Sequence, residues 1–212
     1  RPMLALKSFR DFLSQYPDHD YASDVQETVE RLESEKEGIL SEMELEGENA
    51  EEIARLHEQV MSLLAYRQIE SGRAMAEKLV QRAENFIPAH NNLSLCCWMD
   101  NDAEAAIATA AKVLEIDENN VHALSNLTRF CCLSGDTENS RHYAERLKNI
   151  PTDNTDHWIK QMEAFAYLGD DESIVDIYET VKKKVKDLDK CPSLLLHLAA
   201  AAQMRLGRSH RA

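Results

Sequence analysis

The sequence predicts an all-α chain of stacked antiparallel helix hairpins, and three observations predict it. Among 212 residues only six are Gly and five Pro, aromatic residues make up 6%, and Ala, Leu, Glu and Lys dominate. That composition favours helix over sheets of β-branched residues. Secondly, Asn101-Asp102, Gly135-Asp136 and Gly169-Asp170 recur at intervals of 34 residues, each between two helical patterns. Gly and Asn tolerate the left-handed conformation that closes a helix, and the Asp that follows can cap the next one. Thirdly, the flanks keep step: Ala106, Ser140 and Ile174 lie five residues beyond each turn, and Ala110, Ala144 and Tyr178 four further on. Upstream, His90, Leu124 and Trp158 share one register, and Leu93, Leu127 and Gln161 another. A spacing of four puts each pair on one helix face.

Taken in order, the pattern predicts helices over 3–16, 20–46, 49–70, 73–87, 90–99, 102–117, 121–134, 137–149, 155–168, 171–187 and 192–206. The first ends at Pro17, where His19-Asp20 reads as a turn with Asp20 capping the second helix. The second carries Val25, Val29, Leu32, Lys36, Ile39 and Met43 at alternating spacings of four and three, a narrow coiled-coil-like seam. Asn49 followed by Glu52 resembles a capping box that opens the third. The helices from 90 to 187 are paired by the three punctuated turns, with Ala106, Ala110, Val113, Leu127, Leu147 and Trp158 expected in the core. The last helix runs to Leu206-Gly207, which with Ala212 looks like the turn and opening of a further hairpin.

The order of the segments resembles the tetratricopeptide-repeat family, whose pattern is W-x2-L-G-x2-Y, then A-x3-F, then P. Trp158 and Phe165 stand at the Trp and Tyr positions; Ala5, Phe9 and Pro17, and Ala76, Val80 and Pro88, match the second half. Gln161-Met162 replaces Leu-Gly, Cys97 and Cys131 replace Tyr, and Glu118 replaces Pro. On this alignment the repeat entered at Pro88 is four residues short. The resemblance implies an α-α superhelix, a right-handed solenoid. It divides the chain into a second helix of a truncated repeat (1–17), a long acidic connecting helix (18–48), a divergent hairpin (49–88), regular hairpins (89–187) and the start of a truncated further repeat (188–212). Both ends thus read as cuts through a repeat, as in a piece of a longer protein. Helix 20–46 is left without a partner in this count.

The resemblance also implies a surface, because in tetratricopeptide arrays the first helix of each hairpin lines a concave groove where peptides bind. Counting the turn as the fifteenth position, the groove residues are His122, Ser125, Asn126, Arg129, Cys132 and Leu133 in one repeat. In the next they are Asp156, Ile159, Lys160, Glu163, Ala166 and Tyr167. Some family members clamp the carboxylates of chaperone tails with Lys and Asn. Asn126 and Lys160 fit such a clamp, but Asp156 stands where it would want Lys, so no chaperone tail is assigned.

Charge and cysteines bound the partners. The net charge of −14 argues against nucleic acid, which needs a basic stripe. Fifteen Asp and Glu against three Lys and Arg between Asp18 and Glu58 give −12, so the acidity belongs to one segment, and the acidic face of helix 20–46 could dock a basic partner or merely be solvated. Five cysteines, as Cys96-Cys97, Cys131-Cys132 and a lone Cys191, have no zinc-ligand spacing and read as small core hydrophobes. Their odd number suits a reducing compartment such as the cytoplasm. No apolar run is long enough for a membrane anchor. His19-Asp20 lacks further ligands for a metal, and no phosphate loop, nucleophile elbow or zinc-protease helix occurs. The sequence therefore leads to a scaffold for a protein or peptide ligand, without catalytic residues, cofactor, metal, nucleic acid or membrane, and with self-association open to the exposed terminal repeats. The alternative is a regulatory or recruitment arm of an enzyme whose catalytic domain lies outside this chain.

Overall fold

The computed structural model of the chain describes residues 1–208; Ala212, part of the expected opening of a further hairpin, lies outside them. Among the described residues there are eleven α-helices, one short 3-10 turn and no strand. They fall into two compact units, residues 1–96 and 97–212.

The first unit holds α1 (Pro2–Gln15), α2 (Ala22–Glu42), α3 (Ala50–Ala65), α4 (Ile69–Arg82) and most of α5 (Ile87–Met99). The helix counted as partnerless, α2, lies against α1: Val29 and Leu32 from its seam are buried with Met3 and Leu6 of α1 and Ala54 of α3. Lys36, the polar member of that seam, has a charge partner on each side. It lies 2.8 Å from Glu33 and 3.3 Å from Glu51, and Arg10 pairs with the same two carboxylates, so four alternating charges join α1, α2 and α3. The open N-terminal end of α1 is met from α3, where the buried Glu58 accepts the Leu4 N–H at 2.8 Å. A carboxylate there satisfies a donor with no intrahelical partner and faces the positive end of the helix dipole. Two expected caps do not form. Helix α2 starts one residue beyond Tyr21 rather than from Asp20, without a side-chain cap, and Asn49 makes no capping bond although it does precede α3. Glu52 pairs instead with Arg82 at 2.7 Å.

Between α3 and α4 the chain turns at Arg67, which takes a left-handed φ of 55°. That turn stands 34 residues before Asn101, which corrects the expectation of a repeat four residues short. Gly72, not Ala76, corresponds to Ala106, Ser140 and Ile174, and like them it is buried. Ala76 is the counterpart of Ala110.

The second unit holds α6 (Ala103–Ile116), α7 (Val121–Leu133), α8 (Thr137–Lys148), α9 (Thr155–Leu168), α10 (Asp171–Lys184) and α11 (Ser193–Arg205). Its turns share one construction. Asn101, Gly135 and Gly169 all have positive φ, and the N–H of the Asp that follows reaches back to Cys97, Cys131 or Phe165 at 2.9–3.0 Å. The positive-φ residue's own N–H also reaches back, to Trp98, Cys132 or Ala166 at 3.1–3.2 Å, and this double closure occupies carbonyls that the helix end leaves open. The same Asp then accepts the N–H of Ala105, Asn139 or Ser173 at 3.0–3.1 Å, so one residue closes one helix and opens the next. The six positions expected in the core, Ala106, Ala110, Val113, Leu127, Leu147 and Trp158, are all buried. Cys131 is buried too, whereas Cys132 and Cys191 are only partly covered.

Candidate protein-binding face

Helices α7 and α9 lie side by side because each is the first helix of its hairpin and the hairpins stack with a 34-residue period. Three contacts stitch them together along their length. Near the start His122 Nε2 stands 3.3 Å from Asp156 Oδ2, in the middle Ser125 Oγ donates to the Lys160 carbonyl at 3.1 Å, and at the end Cys132 Sγ donates to the Tyr167 carbonyl at 3.3 Å. All the groove positions read from the sequence are therefore on one pair of neighbouring helices. They are not equally accessible. Ser125 and Ile159 are buried, His122, Asn126, Arg129, Lys160 and Glu163 are half-buried, and Asp156 and Tyr167 are exposed. Ser125 spends its hydroxyl on holding the two helices together.

The charges on this face are partly matched. Lys160 reaches Glu163 at 2.9 Å. Burial pushes the His122 imidazole below its ordinary value, Asp156 only partly opposes this, and the edge of His157 approaches the ring at 6.0 Å. Arg129 donates to Asn126 Oδ1 at 3.2 Å and its guanidinium lies 4.8 Å over the ring of Phe130, which stacks on Trp98 at 4.5 Å. The Arg129 Nε–H is covered and meets no acceptor among the described residues. His157 and Phe130 were not among the residues singled out from the sequence. His157 is one residue from Asp156 and could have been found from a His in each of two stacked helices; Phe130 carries no local signal. Beside the turn end of α7 and α9 opens a cleft of about 490 Å³, whose lining includes Cys132, Arg141, Ala144, Lys148, Phe165 and Tyr167. No group of three or more His, Cys, Asp or Glu among the described residues is placed to hold a metal. No helix there is long and apolar enough to cross a membrane.

No known protein family matches the sequence, and no curated protein does. Among solved structures the chain is similar to a tetratricopeptide repeat protein from Parabacteroides merdae, with a TM-score of 0.60 and 13% identity, over 97% of this chain and 80% of that one. At that identity the likeness is one of fold, and it agrees with the turns at Arg67, Asn101, Gly135 and Gly169, which recur every 34 residues. The chain has an all-α fold similar to that of tetratricopeptide-repeat proteins.

Proposed function

We propose that the chain is a scaffold that binds a protein or peptide along the face shared by α7 and α9. The observation that carries this reading is Arg129, a half-buried cation on that face whose guanidinium is held by Asn126 and Phe130 and forms no ion pair among the described residues. A positioned cation without an anionic partner favours a ligand that brings an acceptor to its terminal nitrogens. The accessible set is His122, Asn126, Arg129, Asp156, Lys160, Glu163 and Tyr167; both signs are present, which favours an extended ligand of mixed or modest charge over a polyanion. A net charge of −14 points the same way, away from nucleic acid. An odd number of cysteines fits the cytoplasm, and Leu194 and Met204, exposed on α11, are where self-association would begin. The test is a photo-crosslinking residue placed at the exposed Tyr167, with the exposed Glu138 of α8 as control. Partner peptides captured from position 167 and not from 138 support the face; capture at both alike, or only at 138, removes it.

A further inference from the structure

We propose that the turn joining α1 to α2 is a docking site for a cationic, arginine-rich segment of a partner protein. Four rings gather on this turn. Phe12 lies 5.6 Å from Tyr16 and 5.4 Å from His19, and His19 stacks on Tyr21 at 5.5 Å. The turn fixes them: the His19 N–H donates to the Tyr16 carbonyl at 3.3 Å, the Ala22 N–H to the His19 carbonyl at 2.8 Å, and the Tyr21 N–H to His19 Nδ1 at 3.2 Å. The platform faces water, with Tyr16 54% and Tyr21 64% exposed. Neither tyrosine belongs to the core between α1 and α2, which is built from Met3, Leu6, Val29 and Leu32. A contiguous group of exposed aromatic rings that the core does not use marks an interaction site.

The charge around the rings selects the partner. From Asp11 to Glu30 there are six Asp and Glu and not one Lys or Arg. Asp11 is taken by Lys7 at 2.6 Å, whereas Asp18, Asp20 and Asp24 form no ion pair among the described residues. Ring faces attract cations, and a guanidinium both stacks on a ring and bonds a carboxylate through its planar fork. Rings and carboxylates on one turn therefore complement arginine along its whole side chain, and lysine less fully. This site is separate from the α7/α9 face and stands or falls without it.

The experiment measures binding of a fluorescein-labelled hexa-arginine peptide to the whole chain by anisotropy, near physiological salt. The double variant Tyr16→Ala/Tyr21→Ala leaves the charge unchanged and is expected to raise Kd about tenfold, from two lost cation–ring contacts. Tyr16→Phe/Tyr21→Phe keeps the ring faces and is expected to bind like the parent. Equal Kd for the parent and the alanine variant would mean that the acidic segment attracts the peptide without the rings, and would overturn the proposal, as would a parent that does not bind. Should the alanine variant fail to fold, the tyrosine ring resonances of the parent decide: signals of Tyr16 and Tyr21 that stay still during titration overturn it, and signals that move, together with weaker binding by Asp18→Asn/Asp20→Asn, uphold it.

Discussion

Gln161 stands where the repeat pattern has Leu, and its burial gives a reason. Its Nε2 donates to the Leu147 carbonyl at 2.9 Å, which also accepts the Ile150 N–H at 3.3 Å, and to the Ile150 carbonyl at 3.1 Å just past the end of α8. Gln161→Leu restores the pattern but removes both bonds, and should destabilise by about 0.5–1.5 kcal/mol. A urea midpoint equal to or above that of the parent would show that apolar burial outweighs the two bonds. Ala106 is the opposite case, fully buried and apolar, and Ala106→Glu should cost roughly 2–5 kcal/mol because an unpaired carboxylate would enter the core. An unchanged midpoint would place that position on the surface. The burial of Ala106 was legible because its register repeats; the role of Gln161 was not, because its acceptors lie in the preceding hairpin, 14 and 11 residues away. Likewise Ser125 could be placed on the α7/α9 face by counting, but not its bond to the Lys160 carbonyl, which depends on how closely the two helices approach.

At the level of elements, the turns decided what could be read. Those at Asn101, Gly135 and Gly169 use residues suited to positive φ, followed by a capping Asp, so their helices are placed within a few residues. The turn at Arg67 has the same backbone bonds, with the Gln68 N–H reaching the Leu63 carbonyl at 2.8 Å, but no Gly, Asn or Asp to reveal it. A helix was expected to run through it to residue 70, and the register slipped by one helical turn onto Ala76. Arginine held left-handed is strained by about 1–2 kcal/mol relative to a right-handed residue. Arg67→Gly should relieve most of that strain and raise stability by about 0.5–1 kcal/mol after the entropy cost of glycine. Asp136→Ala should do the reverse, by about 0.5–2 kcal/mol, since the Asn139 N–H loses its cap. Thermal melts of the two variants that move in the same direction would contradict this account of the turns.

Over the whole molecule charge is uneven: residues 1–96 carry nineteen Asp and Glu against ten Lys and Arg, a net of −9, and the remainder of the chain carries the other −5. The response to acid should separate by ionisable type. In the first unit the Lys36 and Arg10 cations hold Glu33 below its ordinary value, and Arg10 and Lys36 do the same for Glu51, so their stabilisation is present above the ordinary carboxylate value and fades as pH falls through the lowered one. Histidine acts earlier. Burial lowers His122 from the ordinary 6.5, against the partial pull of Asp156, so as pH drops the unfolded chain takes up that proton before the folded one. The imidazole therefore costs nothing above pH 6.5, and stability is lost progressively below it. Tryptophan emission isolates the effect, because Trp98 and Trp158 both belong to the second unit. The urea midpoint followed by that emission should fall between pH 7.5 and 5.5, and the fall should shrink in His122→Asn, which keeps a polar side chain near Asp156 without the proton uptake. A midpoint flat over that range would mean that His122 is as accessible to protons in the folded chain as in the unfolded one. A slope undiminished in the variant would move its origin to another group of the unit.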